Sequence, residues 1–556
     1  MTGRRFSVLN RRTFLRETAL VETDLLVIGG GITGAGIALD AVSRGLRTVL
    51  LEMQDFAAGT SGRSTKLVHG GLRYLKQLDV RLVAEVGGER AIVHEIGPHI
   101  TRPEWMLLPI IKGGTYGKWS TSLGIMVYDR LARVRKHERR IMLDREEALR
   151  REPLLRQEGL RGAACYVEYR TDDARLTLEV LKKAVEYGAR AFNYVKAEEP
   201  VYDGERLTGV RAVDLLDGRT YLFRAKKVVN ATGPWVDEWR EKDGSKRGKT
   251  LRWSKGVHLV VDHSRFPLRQ PVYFDVPDGR MIFAIPRDGK TYFGTTDTEY
   301  HGDLARPRIT ASDRDYLLDA VSFMFPGVRL TPEDVESSWA GIRPLIHQEG
   351  KSLSEISRRD EMFRSRSGLI TIAGGKLTGY RKMAERVVDL AVRELRGETG
   401  RIFGPCRTRR IPLSGGDVGG SAGWPGFMKR KIRELMEAGL HGDDADRLVR
   451  LYGSNVDEVA KKVRESEEEA SGFGIPPVLL GMLRYGVEDE SVATPADFFV
   501  RRTGALYFRI HEVRLWKEPV IRWMKERFGW TEEEERHWRE ELERELATAT
   551  TVTESD

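Results

Sequence analysis

The sequence predicts an α/β fold in three parts: a Rossmann-like β-α-β unit near the N-terminus, an antiparallel sheet in the middle, and an all-helical C-terminal domain. Three observations carry this prediction. A short apolar strand at 24–28 runs into the glycine turn 29–34, a helical pattern over 37–44 and a second apolar strand at 48–51. Residues 256–300 alternate apolar and polar positions between turn signals such as Pro277-Asp278-Gly279 and Arg287-Asp288-Gly289. After the glycine cluster at 415–420 the chain is rich in Lys, Arg and Glu at helical spacing to about 547, with almost no strand signal.

Residues 1–22 form a charged lead-in and read as a solvated arm. Within it, Arg11-Arg12-Thr13-Phe14-Leu15 is similar to a twin-arginine export signal, but Glu17, Glu22 and Asp24 stand where an apolar stretch would have to follow. The reading is therefore of a chain that stays inside the cell. The segment 119–140 has helical spacing, with Trp119, Leu123, Met126, Val127, Leu131 and Val134 on one face. Arg130, Arg133, Arg135, Lys136, Arg139 and Arg140 make its end strongly basic. That pattern fits a surface helix with a solvated cationic face or, more sharply, a membrane-surface contact. Strand runs flank a turn at Gly218-Arg219, and an apolar strand at 228–231 breaks into Thr232-Gly233-Pro234-Trp235. A further apolar strand at 369–373 ends in Gly374-Gly375, before a helix over 380–395. The polar tail from Thr548 is expected to be disordered.

A chain of 556 residues exceeds one compact core, and 40% hydrophobic with 31% charged residues is ordinary globular composition. Two cysteines, Cys165 and Cys406, lie far apart, against both a disulfide framework and a cysteine-based zinc site. The net charge of +9 suits nucleic acid, anionic lipid or a phosphorylated substrate. No RNA- or DNA-binding module is recognisable, so no nucleic-acid partner is expected. The longest uncharged, mainly apolar stretch, 25–39, is shorter than the ~20 residues of a membrane span and is full of glycine.

The turn satisfies G-x-G-x-x-G. Gly29 permits the tight turn, Gly31 lets backbone approach a pyrophosphate, and Gly34 allows close helix–strand packing. Phosphates would then sit at a helix N-terminus, where open N–H groups favour anions. Glu52, at the end of the second strand, is placed to accept hydrogen bonds from an adenosine ribose and disfavours a 2′-phosphate, so FAD or NAD is favoured over NADP. Three separated strand–turn segments, ending at 34, 235 and 378, could together enclose a long flavin dinucleotide.

The glycine turn, Thr60-Ser61-Gly62-Arg63-Ser64-Thr65-Lys66-Leu67-Val68-His69-Gly70-Gly71-Leu72-Arg73-Tyr74-Leu75, the segment 231–237 and Gly374-Gly375-Lys376-Leu377-Thr378 together make a far more specific pattern. It resembles the aerobic FAD-dependent glycerol-3-phosphate dehydrogenase family, in its Gram-positive bacterial form. The resemblance implies a Rossmann-like FAD domain of the D-amino-acid and glycine oxidase group, with an antiparallel substrate domain and a helical cap. The oxidoreductase region would cover 21–403, with FAD-binding segments about 21–100, 165–240 and 335–400 interleaved with substrate segments about 100–165 and 240–335; the helical domain would cover 404–547. It also implies oxidation of sn-glycerol 3-phosphate to dihydroxyacetone phosphate in glycerol catabolism, by hydride transfer to FAD. Electrons would pass to a membrane quinone, from a cytoplasmic protein held peripherally at an anionic lipid surface on the inner face of the membrane.

By the same resemblance, Arg73, Tyr74, Arg358 and Lys376 match phosphate-binding positions, with Arg359 an alternative to its neighbour. His258 and His69 share the claim to be the base, His258 slightly favoured, and Arg343 would stabilise a developing alkoxide. Ser61, Ser64 and Thr65 are expected on the flavin side of the cofactor, with Gly233, Trp235, Gly375, Leu377 and Thr378 completing its site. The competing readings are an oxidase that passes electrons to oxygen, an amine oxidase of the same fold, and a basic binding module without turnover. A homodimer stays open, because nothing in the sequence reports oligomeric state.

Overall fold

Residues 6–69, 80–113, 138–348 and 360–554 are described by the computed structural model. Strand β1 (Thr23–Ile28) is buried along its whole length, which explains its unbroken apolar run. It lies between two parallel neighbours, β2 (Thr48–Leu51) and β10 (Thr220–Asn230). The first sheet continues through β18 (Ile370–Ala373) to β17 (Glu361–Arg364) on one side and to β7 (Arg190–Phe192) on the other. The far half of β10 bends into an antiparallel layer with β9 (Arg206–Asp214), which pairs with β8 (Val195–Asp203). The helices Ile32–Ser43, Asp173–Glu186 and Tyr380–Thr399 pack together beside this sheet through a shared apolar core that includes Ile37, Leu181 and Val388.

The second sheet runs β15 (Thr298–Glu299), β11 (Lys249–Asp262), β14 (Lys290–Gly294), β13 (Met281–Arg287), β12 (Val272–Asp275), β4 (Thr101–Ile111), β6 (Leu160–Thr171) and β3 (Leu67–Val68). Strand β16 (Val335–Gln348) pairs with β11, and β5 (Ile141–Leu143) with β6. The expected antiparallel texture holds for most of these pairs, but Val272 meets Leu107 in parallel, so the sheet is mixed. Such a junction joins segments far apart in sequence, and no local pattern announces it. Strand β16 belongs to this sheet, although its range was counted with the nucleotide-binding segments on sequence. The β13–β14 hairpin closes on Asp288 and Gly289 with φ of 51° and 76°, the positive pair that a two-residue turn requires.

The C-terminal region is helical from Gly420–Glu437 to Glu532–Thr550, and its apolar core is continuous with Tyr292 and Trp339 of the second sheet. Its grip on the first sheet is ionic. Buried Asp55 receives Arg501 Nε at 2.5 Å, Arg502 Nη1 at 2.6 Å and Asn193 Nδ2 at 3.0 Å. These cations overcome the cost of burial and hold the Asp55 carboxyl far below the usual carboxylate range. Beside it, Glu490 takes Arg175 at 2.8 Å and Lys182 at 2.9 Å.

Two expectations about the ends of the chain are corrected. The N-terminal segment is no solvated arm: Arg11–Ala19 is a helix, Leu15 is fully buried, and Phe6 stacks on Phe56 with centroids 5.5 Å apart. Arg11 is buried against Asp214 and donates to the Asn193 carbonyl at 2.6 Å, whereas Arg12 stays exposed. The tail is ordered too, since the last helix runs to Thr550 and Thr553 N–H donates to the Ile309 carbonyl at 2.8 Å. Tertiary docking overrides composition at both ends. The basic segment 119–140 lies outside the described residues except for its last three, of which Glu138 accepts the Tyr169 hydroxyl at 3.0 Å. No helix among the described residues is long and apolar enough to cross a membrane.

The two neighbouring arginines should separate cleanly on mutation. Arg11→Ala strands a buried carboxylate and is expected to cost about 3 kcal/mol, while Arg12→Ala should fall within about 0.5 kcal/mol of the parent. Urea unfolding of the holoprotein measures both, and equal costs would contradict the docked N-terminal helix.

Candidate active site

The parallel strands end at an elongated cavity. Gly29 and Gly31 of the turn after β1 line it, with Glu52 after β2, Gly233 and Trp235 after β10, and Gly375 after β18. Three strand–turn segments thus converge at one cleft, as open α/β sheets favour at the carboxyl ends of their strands. Gly34 lies off the cleft, where any Cβ would run into the Gly29 carbonyl, so it is the packing glycine. Gly31 is the N-cap of the helix Ile32–Ser43 and brings no side-chain cap of its own. Ser61 Oγ accepts the Ile32 N–H at 2.9 Å, and a Cβ on Gly31 would come within 2.9 Å of that same oxygen. The first helical turn therefore presents backbone donors and a hydroxyl to the cleft, which suits a pyrophosphate. Glu52 accepts Gly30 N–H at 2.6 Å and Gln54 N–H at 2.8 Å. Burial raises its pKa against the pull of those donors. The donor set fits a dinucleotide with an adenosine at Glu52 and phosphates at the glycine turn.

A second cavity adjoins the first. Thr60, Ser64, Pro344, Gly375, Lys376 and Leu377 line both. Its far wall is the long β11–β16 pair at one end of the second sheet. The register of β11 on β16 sets His258 opposite Trp339, Gly256 opposite Gly341, and Ser254 opposite Arg343. Alternation along each strand puts these six residues on one face. Gly256 is needed there: a Cβ would come within 2.6 Å of Thr295 Oγ1 and collide with the Arg343 guanidinium. Arg343 Nη2 donates to Thr295 Oγ1 at 2.9 Å, and Nη1 donates to the Thr296 carbonyl at 3.2 Å and to Asp297 at 3.3 Å.

His258 is buried, with Nε2 3.0 Å from Thr65 Oγ1 and its ring stacked on Trp339 at 4.9 Å. Among the described residues its Nδ1 has no hydrogen-bond partner. Burial and the nearby charges of Arg343 and Lys66 push its pKa well below the usual histidine value. His69 is half-buried on the same cavity, and its backbone carbonyl accepts the Thr378 hydroxyl at 3.1 Å. Enclosure, Lys376 and Arg90 push its pKa down to about 3. Both histidines are therefore neutral near pH 7, in a cavity whose fixed charges include Lys376 and Arg343. A dianionic ligand would relieve that excess of positive charge.

The structure thus brings His258, His69, Arg343 and Lys376 to one cavity, next to the cleft lined by Ser61, Ser64, Gly375 and Leu377. Thr65 and Thr378 were expected with the cofactor, but they line the second cavity, Thr65 facing His258. Arg73, Tyr74, Arg358 and Arg359 lie outside the described residues. Sequence reasoning missed Gly256, Thr295, Asp297 and Trp339. A glycine two residues before His258 and a tryptophan four before Arg343 were visible signals, but their meaning depends on strand register.

Comparisons with known proteins agree with this geometry. The family model described as FAD dependent oxidoreductase matches residues 24–381, and that described as the C-terminal domain of alpha-glycerophosphate oxidase matches 406–535. The chain is 57% identical to an aerobic glycerol-3-phosphate dehydrogenase of Bacillus subtilis over 99% of both chains, and 52% identical to that of Staphylococcus haemolyticus over 98% of both. A crystal structure of the glycerol-3-phosphate dehydrogenase from Bacillus halodurans complexed with FAD is similar at 54% identity and a TM-score of 0.86, covering 98% of this chain and 99% of that one. Glycine oxidase from Geobacillus kaustophilus, at 20% identity and a TM-score of 0.51, covers 67% of this chain and 95% of its own, and shares the fold.

The neutral histidines imply a signed pH dependence of stability. The unfolded chain protonates His69 near the ordinary value of 6.5, and the folded chain only near 3. Stability is then complete above that ordinary value and falls on acidification, by up to about 1.4 kcal/mol per pH unit for each such group. Urea midpoints between pH 7 and 5 should drop, and His69→Gln should flatten the drop; an unchanged slope in that variant would refute the assignment.

Proposed function

Because the chain belongs to the aerobic glycerol-3-phosphate dehydrogenase family of FAD-dependent oxidoreductases, we propose that it oxidises the C2 alcohol of sn-glycerol 3-phosphate to the ketone of dihydroxyacetone phosphate. The observation that carries this reading is the pair of joined cavities: a dinucleotide cleft opens directly onto a cation-lined chamber holding two neutral histidines. When bound, FAD supplies the acceptor for the two electrons that leave C2. Gly29, Gly31 and Glu52 would hold its adenosine and phosphates, and Ser61, Ser64, Gly375 and Leu377, near the junction of the cavities, its flavin end.

The chain's own residues do the rest. Lys376 at the junction, with Arg73, Tyr74 and Arg358, holds the phosphate dianion. That charge offsets the cations that keep His258 and His69 weakly basic, so the bound substrate itself raises the proton affinity of the base. His258 takes the C2 hydroxyl proton, because it stands on the strand wall beside Arg343, whereas His69 stands beside the phosphate-binding Lys376. Arg343, held by Thr295, the Thr296 carbonyl and Asp297, stabilises negative charge on the C2 oxygen as the proton leaves. Trp339 and Tyr292, packed behind His258, keep water from the far side of its ring. Electrons then pass to a membrane quinone in glycerol catabolism, from the cytoplasmic face of the membrane.

The substrate is tested anaerobically. Adding sn-glycerol 3-phosphate to the yellow protein should bleach its visible flavin absorption, with no response to glycine or sarcosine, and colour should return faster with a quinone analogue than with oxygen. Flavin-replete His258→Ala should lose about 10²–10⁴-fold in turnover. Bleaching by an amino acid instead of the phosphate ester would overturn the substrate, and normal turnover in His258→Ala the choice of base.

A quinone dissolved in a bilayer requires that the enzyme dock there, and the cationic end of 119–140 provides the lipid contact. Charge reversal at Arg135, Lys136 and Arg139 should weaken sedimentation with anionic vesicles while sparing turnover with a soluble dye. Undiminished sedimentation would exclude this segment as the contact.

A further inference from the structure

The ring of His258 is one layer of a stack that leaves the active site. Register places Trp339 directly across from His258, and the two rings lie 4.9 Å apart at 12°. The indole is itself fixed, since its Nε1–H donates to the Ser64 carbonyl at 3.1 Å and Trp339 is 3% exposed. Beyond it the chain of aromatic contacts enters the helical domain: Tyr507 lies 5.2 Å and Phe508 5.9 Å from Trp339, centroid to centroid. Their short helix, Ala505–Phe508, is pinned to β16 by the Ser337 hydroxyl, which donates to the Tyr507 carbonyl at 2.5 Å. The Lys66 ammonium sits 5.1 Å from the Trp339 ring and 5.5 Å from Tyr507, and closes the array from the side.

We propose that Trp339, backed by Tyr507 and Phe508, is the positioning residue for His258, so that the helical domain governs the proton-removal step without touching substrate. The inference rests on the assignment of His258 as base. None of the three aromatic residues lines either cavity, so they act on the site through what Trp339 touches, the ring of His258 and the Ser64 carbonyl, and a phenylalanine at 339 keeps the first contact while losing the second. The Thr65 hydroxyl fixes Nε2 alone, and one hydrogen bond leaves a ring free to swing about it. The flat face of Trp339 removes that freedom and withholds water from the ring. The charged or titratable groups facing His258 are Arg343 of β16, Lys66 before β3, whose charge is matched by Asp173 at 2.7 Å, and Tyr292 of β14. Loss of the indole therefore admits water and moves the histidine pKa upward, toward its ordinary value.

The test uses flavin-replete full-length protein labelled with isotopic histidine, the His258 ring signal being identified by its loss in His258→Gln. Trp339→Leu should shift that signal, raise its titration midpoint and lower kcat by about 10–100-fold, with KM for glycerol 3-phosphate within about 3-fold. Trp339→Phe should restore most of both readouts, and Tyr507→Leu should move them in the same direction by less. An unshifted ring signal with unchanged kcat in Trp339→Leu, or in Tyr507→Leu and Trp339→Phe should the leucine variant not fold, overturns the proposal. If the parent protein fails to turn over glycerol 3-phosphate, the functional reading falls, yet the ring signal still decides whether Trp339 positions His258.

Discussion

The buried pair of Lys66 and Asp173 is the constraint on which the site depends. Lys66 Nζ lies 2.7 Å from Asp173 Oδ1, and the second carboxylate oxygen accepts the Ser64 N–H at 2.8 Å. The same ammonium donates to the Gly62 carbonyl at 3.1 Å, although Lys66 itself sits at a φ of 58°. A lysine in that conformation persists only where its surroundings over-determine it. Here the ion pair and the Ser64 N–H, both on the Asp173 carboxylate, tie the loop from Thr60 to Lys66 to the helix Asp173–Glu186. That loop carries Ser61 to the cleft and Thr65 to His258, so the ion pair, with the Thr60 hydroxyl bound to the Ile342 carbonyl at 2.6 Å, fixes the segment that runs between the two cavities.

Electrostatics unites the rest of the chamber. Lys376, Arg343 and Lys66 surround two imidazoles that burial already prefers neutral. Entry of a dianion into such a cavity lowers its positive charge, which under the proposed function would couple recognition of the phosphate to readiness of the base. The glycines of the wall serve the same end, because Gly256 leaves room for the guanidinium of Arg343 and Gly294 leaves room for the ring of His258.

Much of this was legible in the sequence where the cause is local. The β-α-β unit follows from an apolar run and three glycines with distinct steric tasks, and the hairpin at Asp288-Gly289 from the φ values that two-residue turns demand. His258, His69, Arg343 and Lys376 were found through motifs and do share one cavity. What stayed hidden depends on contacts across hundreds of residues. The parallel seam between β12 and β4, the partnership of Thr65 with His258, and the burial of Arg11 against Asp214 each join segments whose own composition is silent about the partner. Arg11 and Arg12 illustrate the point: adjacent, chemically identical and each facing an aspartate, they differ in that the first is buried against its partner and the second stays in solvent.

The docked N-terminal segment also orders events in time. The Phe6 carbonyl accepts the Ser491 N–H at 3.0 Å, across a separation of 485 residues. A ribosome delivers Phe6 long before Ser491 exists, so this seam can close only after the chain has grown by 485 residues beyond Phe6. Until then, Phe6 and the face of Phe56 it covers are exposed on a nascent protein. Phe6 thus reaches its place late although it is made early relative to its partner, and the first sheet, whose β1–β2 pair can form early in synthesis, waits on the helical domain for this seal.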